Sequence, residues 1–217
     1  MILVGQYDSP YVRRVAVSLH VLELPFERDT RSVFRDAEAM RRINPLGRIP
    51  SLVLDDGEVV IDSAAILDHL DEVVGPARAL LPPRAAARRR ALRTVALATG
   101  AIDKAGTIVD EQALRPADKQ YQPWLDRCRT QIDSALAELE RITEAALAGG
   151  ARWHGGERLM QADTALGSLL GYLRHFGPEM FPAGAYPALE RISDAYEAQP
   201  AFARAHPRTD EQPPGAA

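Results

Sequence analysis

Asn44-Pro45-Leu46-Gly47-Arg48-Ile49-Pro50-Ser51-Leu52-Val53-Leu54-Asp55-Asp56-Gly57-Glu58-Val59-Val60-Ile61-Asp62-Ser63-Ala64-Ala65-Ile66 is the stretch whose reading decides the fold. Ser51-Leu52-Val53-Leu54 and Val59-Val60-Ile61 are short apolar runs of strand type, separated by Asp55-Asp56-Gly57-Glu58. Asp56-Gly57 between apolar runs is a hairpin signal, with glycine at the position that needs positive φ. Ala65, Ile66, Leu70 and Val73 then recur at helical spacing, so the hairpin runs into a helix.

Working outward toward the N-terminus, Ile2-Leu3-Val4 reads as a buried strand ended by the turn-prone Tyr7-Asp8-Ser9-Pro10. Val12, Val15, Ala16, Leu19 and Leu22 follow at helical spacing and put Arg13 and Arg14 on the polar face. Residues 25–30 form a second strand at or near an edge, and 33–43 a charged, loosely patterned helix. The order is βαβ, a helix, then ββα. The first unit needs a crossover connection, so its strands run parallel, and the hairpin adds antiparallel strands. This is the order of a thioredoxin-like α/β domain, over residues 1–75.

Gly75-Pro76 and Pro82-Pro83 bracket a linker, after which strand signals almost vanish. Residues 84–114, 119–148, 162–176 and 186–199 read as helices, giving an all-α C-terminal domain over 84–206. Residues 207–217, with three prolines and little apolar content, are expected to be a disordered tail.

Composition narrows the function classes. With 217 residues, 46% hydrophobic and 26% charged, the chain has the make-up of a globular protein with a real core. A net charge of −4 supplies no global basic field, so no nucleic-acid partner and no anionic membrane surface are expected. Cys128 stands alone, which excludes an intrachain disulfide and CxxC chemistry. The five histidines lack metal-ligand spacing, and no metal is expected. Met1-Ile2-Leu3-Val4 gives way at once to Gly5-Gln6-Tyr7-Asp8, which is not a secretory signal, and no apolar run approaches the ~20 residues of a membrane span. A soluble, cytoplasmic protein is the expectation.

Three segments of the first domain carry chemistry: Ser9-Pro10-Tyr11-Val12-Arg13-Arg14-Val15, Asn44 to Leu52, and Asp62-Ser63-Ala64-Ala65-Ile66. Taken singly, each has a plain structural explanation. Ser9-Pro10 is an N-cap with proline at the first helical position, Asp62-Ser63 caps the next helix, and Pro50 suits a strand start. In this order and spacing, with helices following, the three resemble the glutathione transferase family, in particular bacterial, serine-type-like members. The resemblance covers nearly the whole chain, though its specific motifs lie before residue 75.

The resemblance implies roles residue by residue. Ser9 would donate a hydrogen bond to the glutathione sulfur, at a helix N-terminus whose dipole favours a thiolate. Such a charge-assisted bond is worth about 1.5–3 kcal/mol, or roughly one to two pKa units. Capping uses the serine oxygen and thiolate binding uses its hydrogen, so the two roles are compatible. Tyr7 is the rival, since tyrosine-type members place the donor at the end of the first strand. The resemblance also implies a cis bond at Ile49-Pro50, with the backbone of Ile49 pairing with the cysteinyl part of glutathione. Ser63 and the helix-start N–H groups would hold the γ-glutamyl carboxylate. Asp62 would act on the amine side or orient the loop. Arg48 is a partner for the glycine carboxylate, with Arg35 an alternative and a solvated surface role open to both.

Two departures matter. Family members open a late helix with Ser or Thr, two residues, then Asp, whereas Met160-Gln161-Ala162-Asp163 lacks the hydroxyl. Asp163 is therefore assigned to folding. No cysteine stands at position 9, which disfavours thiol-transferase chemistry. The function expected is glutathione S-transferase activity, in which a glutathione thiolate attacks an electrophilic small molecule, in a homodimer. The alternatives are a glutathione-dependent isomerase or dehalogenase, and a non-catalytic glutathione-binding or regulatory protein.

Overall fold

A computed structural model of the chain describes residues 1–207, so the expected tail, Pro207 apart, lies outside the described residues. The chain divides into two compact units, Met1–Pro83 together with the segment from Gln199, and Arg84–Ala198.

The first unit runs β1 (Ile2–Val4), α1 (Pro10–Val21), β2 (Glu27–Asp29), α2 (Ala37–Ile43), β3 (Ser51–Val53), β4 (Val59–Ile61) and α3 (Ser63–Val74). The sheet order is β2-β1-β3-β4, with β1 parallel to β2 and antiparallel to β3, and β3 antiparallel to β4. The βαβ crossover and the hairpin are both as the sequence predicts. Gly57 sits at φ 90°, and the Leu54 N–H donates to the Glu58 carbonyl at 2.8 Å to close the turn.

Pairing register aligns Val4 with Asp29 on one side and Ser51 on the other, and Ser51 in turn with Ile61. These four residues form one row across the end of the sheet. The chain leaves that row toward Ser9, arrives at it from Pro50, and leaves it again into Asp62.

Gly5 locks this end together. Its φ is +133°, and a Cβ there would lie 2.5 Å from Val12 Cγ2 and 3.0 Å from Ile49 Cβ. The chain can turn from β1 into α1 against the Ile49 loop only because position 5 has no side chain.

Two local expectations are corrected. The second helix begins at Ala37 rather than near residue 33. Ser32 Oγ accepts from the Phe34 and Arg35 N–H groups at 3.2 and 3.3 Å, and the Asp36 carboxylate accepts from the Ser32 N–H at 2.9 Å. Ser32 thus caps a separate turn over residues 33–36, closed by the Asp36 N–H to the Ser32 carbonyl at 3.0 Å, ahead of α2. Arg13 and Arg14, expected on a polar face, are only 1% and 2% exposed. Helix α1 packs against α3 and also against α8 (Pro200–Arg204), so it has no open face for them. Arg13 Nε donates to the Ala205 carbonyl at 3.0 Å, and its guanidinium lies 5.7 Å from the Phe202 ring centroid. The segment after Gln199 is thereby tied to the α/β unit.

The second unit contains α4 (Ala85–Leu114), α5 (Gln122–Ala148), α6 (Gln161–Phe176) and α7 (Pro187–Glu197). Helix α4 packs on α5 and α6, and α7 on α5 and α6. Helix α6 is buried from Gln161 to Gly171, where Ala162, Ala165, Gly167, Ser168 and Gly171 let its neighbours approach closely. Glu140 of α5 caps α7, accepting from the Ala188 and Leu189 N–H groups at 2.8 Å each. Arg93, from the basic cluster on α4, pairs with Glu138 at 2.8 Å.

Asp163 is fully buried and accepts four hydrogen bonds: from the Met160, His154 and Gly155 N–H groups at 2.9, 2.8 and 3.2 Å, and from the Tyr196 hydroxyl at 2.7 Å. Its own half of the helix-start arrangement is complete without a hydroxyl at Met160. Burial pushes the Asp163 carboxyl up, opposed by the Tyr196 and Met160 bonds. His154 Nε2 lies 2.9 Å from Thr143 Oγ1, whose hydrogen goes to the Leu139 carbonyl at 2.7 Å. The ring therefore donates through Nε2.

Two outcomes are expected. Gly5→Ala should destabilise the fold by about 1–3 kcal/mol in urea unfolding, because Val12 and Ile49 must both shift at an unfavourable φ. Burial also pushes His154 below the ordinary 6.5, with Asp163 acting the other way. The unfolded chain then protonates this ring before the folded one does, so stability present above pH ~6.5 is lost as pH falls toward the folded value. His20 is shifted in the same direction. The urea midpoint should therefore fall between about pH 7 and pH 5, and fall less in His154→Gln.

Candidate functional site

Ser9 is the N-cap of α1. Its side chain is half-buried, and its Oγ accepts from the Val12 N–H at 3.4 Å, a long bond. Pro10 at the first helical position has no N–H to satisfy. Because the cap uses only the oxygen, the Ser9 hydrogen stays available to an acceptor.

The Ile49-Pro50 peptide bond is cis. The loop before it is built by Asn44, 2% exposed, whose side-chain amide donates to the Arg48 carbonyl at 2.8 Å while its Oδ1 accepts from the Leu46 N–H at 3.0 Å. Arg48 is thus fixed through its backbone, and its side chain is exposed.

Asp62 caps α3, with Oδ1 accepting from the Ala64 N–H at 2.7 Å. Its backbone sits at φ 72°, ψ 135°. A non-glycine residue at such a φ stores strain and marks a position held by its surroundings. Ser63, the first residue of α3, is 4% exposed, and Arg14 Nη1 lies 3.5 Å from its Oγ.

Register at the end of the sheet brings Ser9, Ile49-Pro50 and Asp62-Ser63 to one edge. Tyr7 lies on the same connection, but its side chain is 2% exposed and the Arg28 guanidinium covers its ring at 3.5 Å. Tyr7 is more enclosed by protein than Ser9. Arg35 is exposed in the segment before α2.

Arg14 is what sequence reasoning missed. A second arginine in an amphipathic pattern looks like a solvent-facing residue, and only the packing of α3 and α8 on α1 removes it from water. Burial lowers its guanidinium to about 10, while Tyr11 and Asp62 favour the charged form, so it stays cationic at neutral pH. Among the described residues, no three His, Cys, Asp or Glu side chains gather as a metal site, and no helix is long and apolar enough to cross a membrane.

A helix N-terminus with a spare hydroxyl hydrogen, a cis-proline loop and a second helix start backed by a cation stand at one end of the sheet, an arrangement whose chemistry suits an anionic, peptide-like ligand. Residues 3–78 match the glutathione S-transferase N-terminal domain and residues 122–195 the glutathione S-transferase C-terminal domain. A glutathione S-transferase from Methylobacterium radiotolerans, solved with glutathione sulfonate, is 34% identical, with a TM-score of 0.87 over 96% of this chain and 95% of that one. A glutathione transferase family member from Pseudomonas fluorescens, solved with glutathione, is 33% identical, with a TM-score of 0.85 over 96% and 99%. The maleylacetoacetate isomerase of Pseudomonas aeruginosa is 29% identical over 100% of both chains. The fold, the two matched domains and these relatives together show that the chain belongs to the glutathione S-transferase family.

Proposed function

We propose that this protein binds glutathione and activates its thiol as a thiolate for attack on an electrophilic small molecule, with Ser9 as the hydrogen-bond donor to sulfur. The observation that carries this reading is the state of Ser9: a half-buried N-cap whose oxygen is engaged and whose hydrogen meets no acceptor among the described residues. A thiolate set there meets a hydroxyl donor and the positive end of α1 together. The Ile49 backbone beside cis-Pro50 would pair with the cysteinyl peptide, and Ser63 with the α3 N-terminus would take the γ-glutamyl carboxylate. Asp62, whose carboxylate is exposed, is suited to the γ-glutamyl ammonium, and Arg48 to the glycine carboxylate. The enclosure of the Tyr7 ring under Arg28 favours Ser9 over Tyr7 as the donor.

Full-length similarity to a maleylacetoacetate isomerase favours a second reading on the same site. There the thiolate adds to a conjugated double bond, the resulting single bond rotates, and elimination restores both the double bond and the thiolate. Glutathione is consumed in conjugation and returned in isomerisation. We also carry forward a cytoplasmic homodimer, tested by whether the protein sediments as two chains or as one of 23.8 kDa.

Ser9→Ala should lower kcat/KM by roughly ten- to a hundredfold, and should raise the pKa of bound glutathione, followed by thiolate absorbance, by about one to two units. Tyr7→Phe should leave that pKa near the wild-type value. The reverse pattern would move the donor role to Tyr7, and glutathione binding without turnover on any electrophile or on maleylacetoacetate would indicate a binding protein. Thiol counting during turnover separates conjugation from isomerisation.

A further inference from the structure

Two adjacent arginines on α1 are buried to the same degree but are used differently. Arg13 is held by the Ala205 carbonyl and the Phe202 ring. Arg14 has its Nε without a hydrogen-bond partner among the described residues, and its side-chain contact is Nη1 to Ser63 Oγ at 3.5 Å. The carboxylate that acts on it, Asp62, is exposed and already engaged with the Ala64 N–H. A cation 2% exposed has therefore been brought beneath the N-terminus of a twelve-residue helix, with donor capacity unspent. Buried charge of this kind calls for an anion close by.

The direction of the Ser63 bond carries the argument. A guanidinium has only donors, so in the contact with Ser63 the serine oxygen accepts. Ser63 does not cap its own helix, because Asp62 does that. Its hydroxyl hydrogen is thus turned away from Arg14 and is left for a group arriving at the helix start. A hydroxyl free to rotate would present oxygen or hydrogen alike; one that accepts from a fixed cation presents hydrogen.

We infer that Arg14 is a positioning residue for the γ-glutamyl carboxylate: from beneath α3 it orients the Ser63 hydroxyl as an outward donor and supplies the positive charge that balances the bound carboxylate. This rests on the glutathione reading above and adds a residue to it. Specificity follows from the same arrangement, since the pair Arg14–Ser63 rewards a carboxylate at this end of the ligand and nothing else in the peptide.

The test compares binding of glutathione and of its analogue with 4-aminobutyryl in place of γ-glutamyl, which lacks only that carboxylate, by calorimetry on the full chain. Arg14→Met should weaken glutathione by about tenfold or more while changing the analogue little, and the penalty of Ser63→Ala should shrink in the Arg14→Met background. Equal weakening of both ligands, or an undiminished Ser63→Ala penalty, would show Arg14 to be merely structural and overturn the inference. If Arg14→Met does not fold, Arg14→Lys carries the same comparison. A reduced preference for glutathione over the analogue then supports the inference, and an unchanged preference overturns it. Wild-type protein that binds no glutathione would instead bring down the functional reading itself, and this inference with it.

Discussion

The structure depends on one cross-strand row, Asp29–Val4–Ser51–Ile61, at a single end of a four-stranded sheet. Adjacent strands lie about 4.8 Å apart, so residues next to neighbouring row members are held within reach of one small ligand. A slip of one residue in any of these ladders would turn every side chain of that strand to the other face and move its connecting segment out of line. Ser9, Ile49-Pro50 and Ser63 are far apart in sequence and come to the same end of the sheet because two pairings, β1 with β3 and β3 with β4, are in register. The row also explains why Gly5 tolerates no side chain. The turn out of β1 is squeezed between the helix it starts and the loop that delivers Pro50.

Helix starts serve two purposes at this edge. Ser9 and Asp62 satisfy backbone donors of α1 and α3, as any cap does, and the same helix ends present positive potential outward. Capping and the proposed thiolate contact therefore do not compete at Ser9, where one uses the oxygen and the other would use the hydrogen. At α3 the roles are divided. Asp62 caps from a strained backbone, which leaves the Ser63 oxygen to meet Arg14 below. The helical unit keeps its own polar centre. Asp163 gathers three N–H groups and the Tyr196 hydroxyl, joining the loop before α6 to α6 and α7.

Much of this was legible in the sequence. Apolar runs and the Asp56-Gly57 turn gave the strand order and the hairpin, helical spacing gave the long helices, and three short motifs pointed to the site residues. The start of α2 was not legible, because Ser32 and Asp36 close a separate turn ahead of it through contacts that helix periodicity does not encode. Nor was the return of the chain after Gln199 to the α/β unit. Five helical residues carry little signal of their own, and what holds them is Arg13, 192 positions before the Ala205 carbonyl to which it donates.

By itself the sequence determined which segments form strands and helices, where they turn, and which hydroxyls and prolines stand at the helix and strand starts. These are local matters, decided by hydrophobic period, turn chemistry and capping. Only the tertiary structure decided which of those groups face one another and which charges leave water. Burial is a property of two packed surfaces, and one helix's pattern shows only that Arg14 lies away from its most apolar stripe. When α3 packs on α1 and that side is closed as well, the cation loses its hydration and its Nη1 turns toward Ser63, so a residue that reads as surface ends up in the interior.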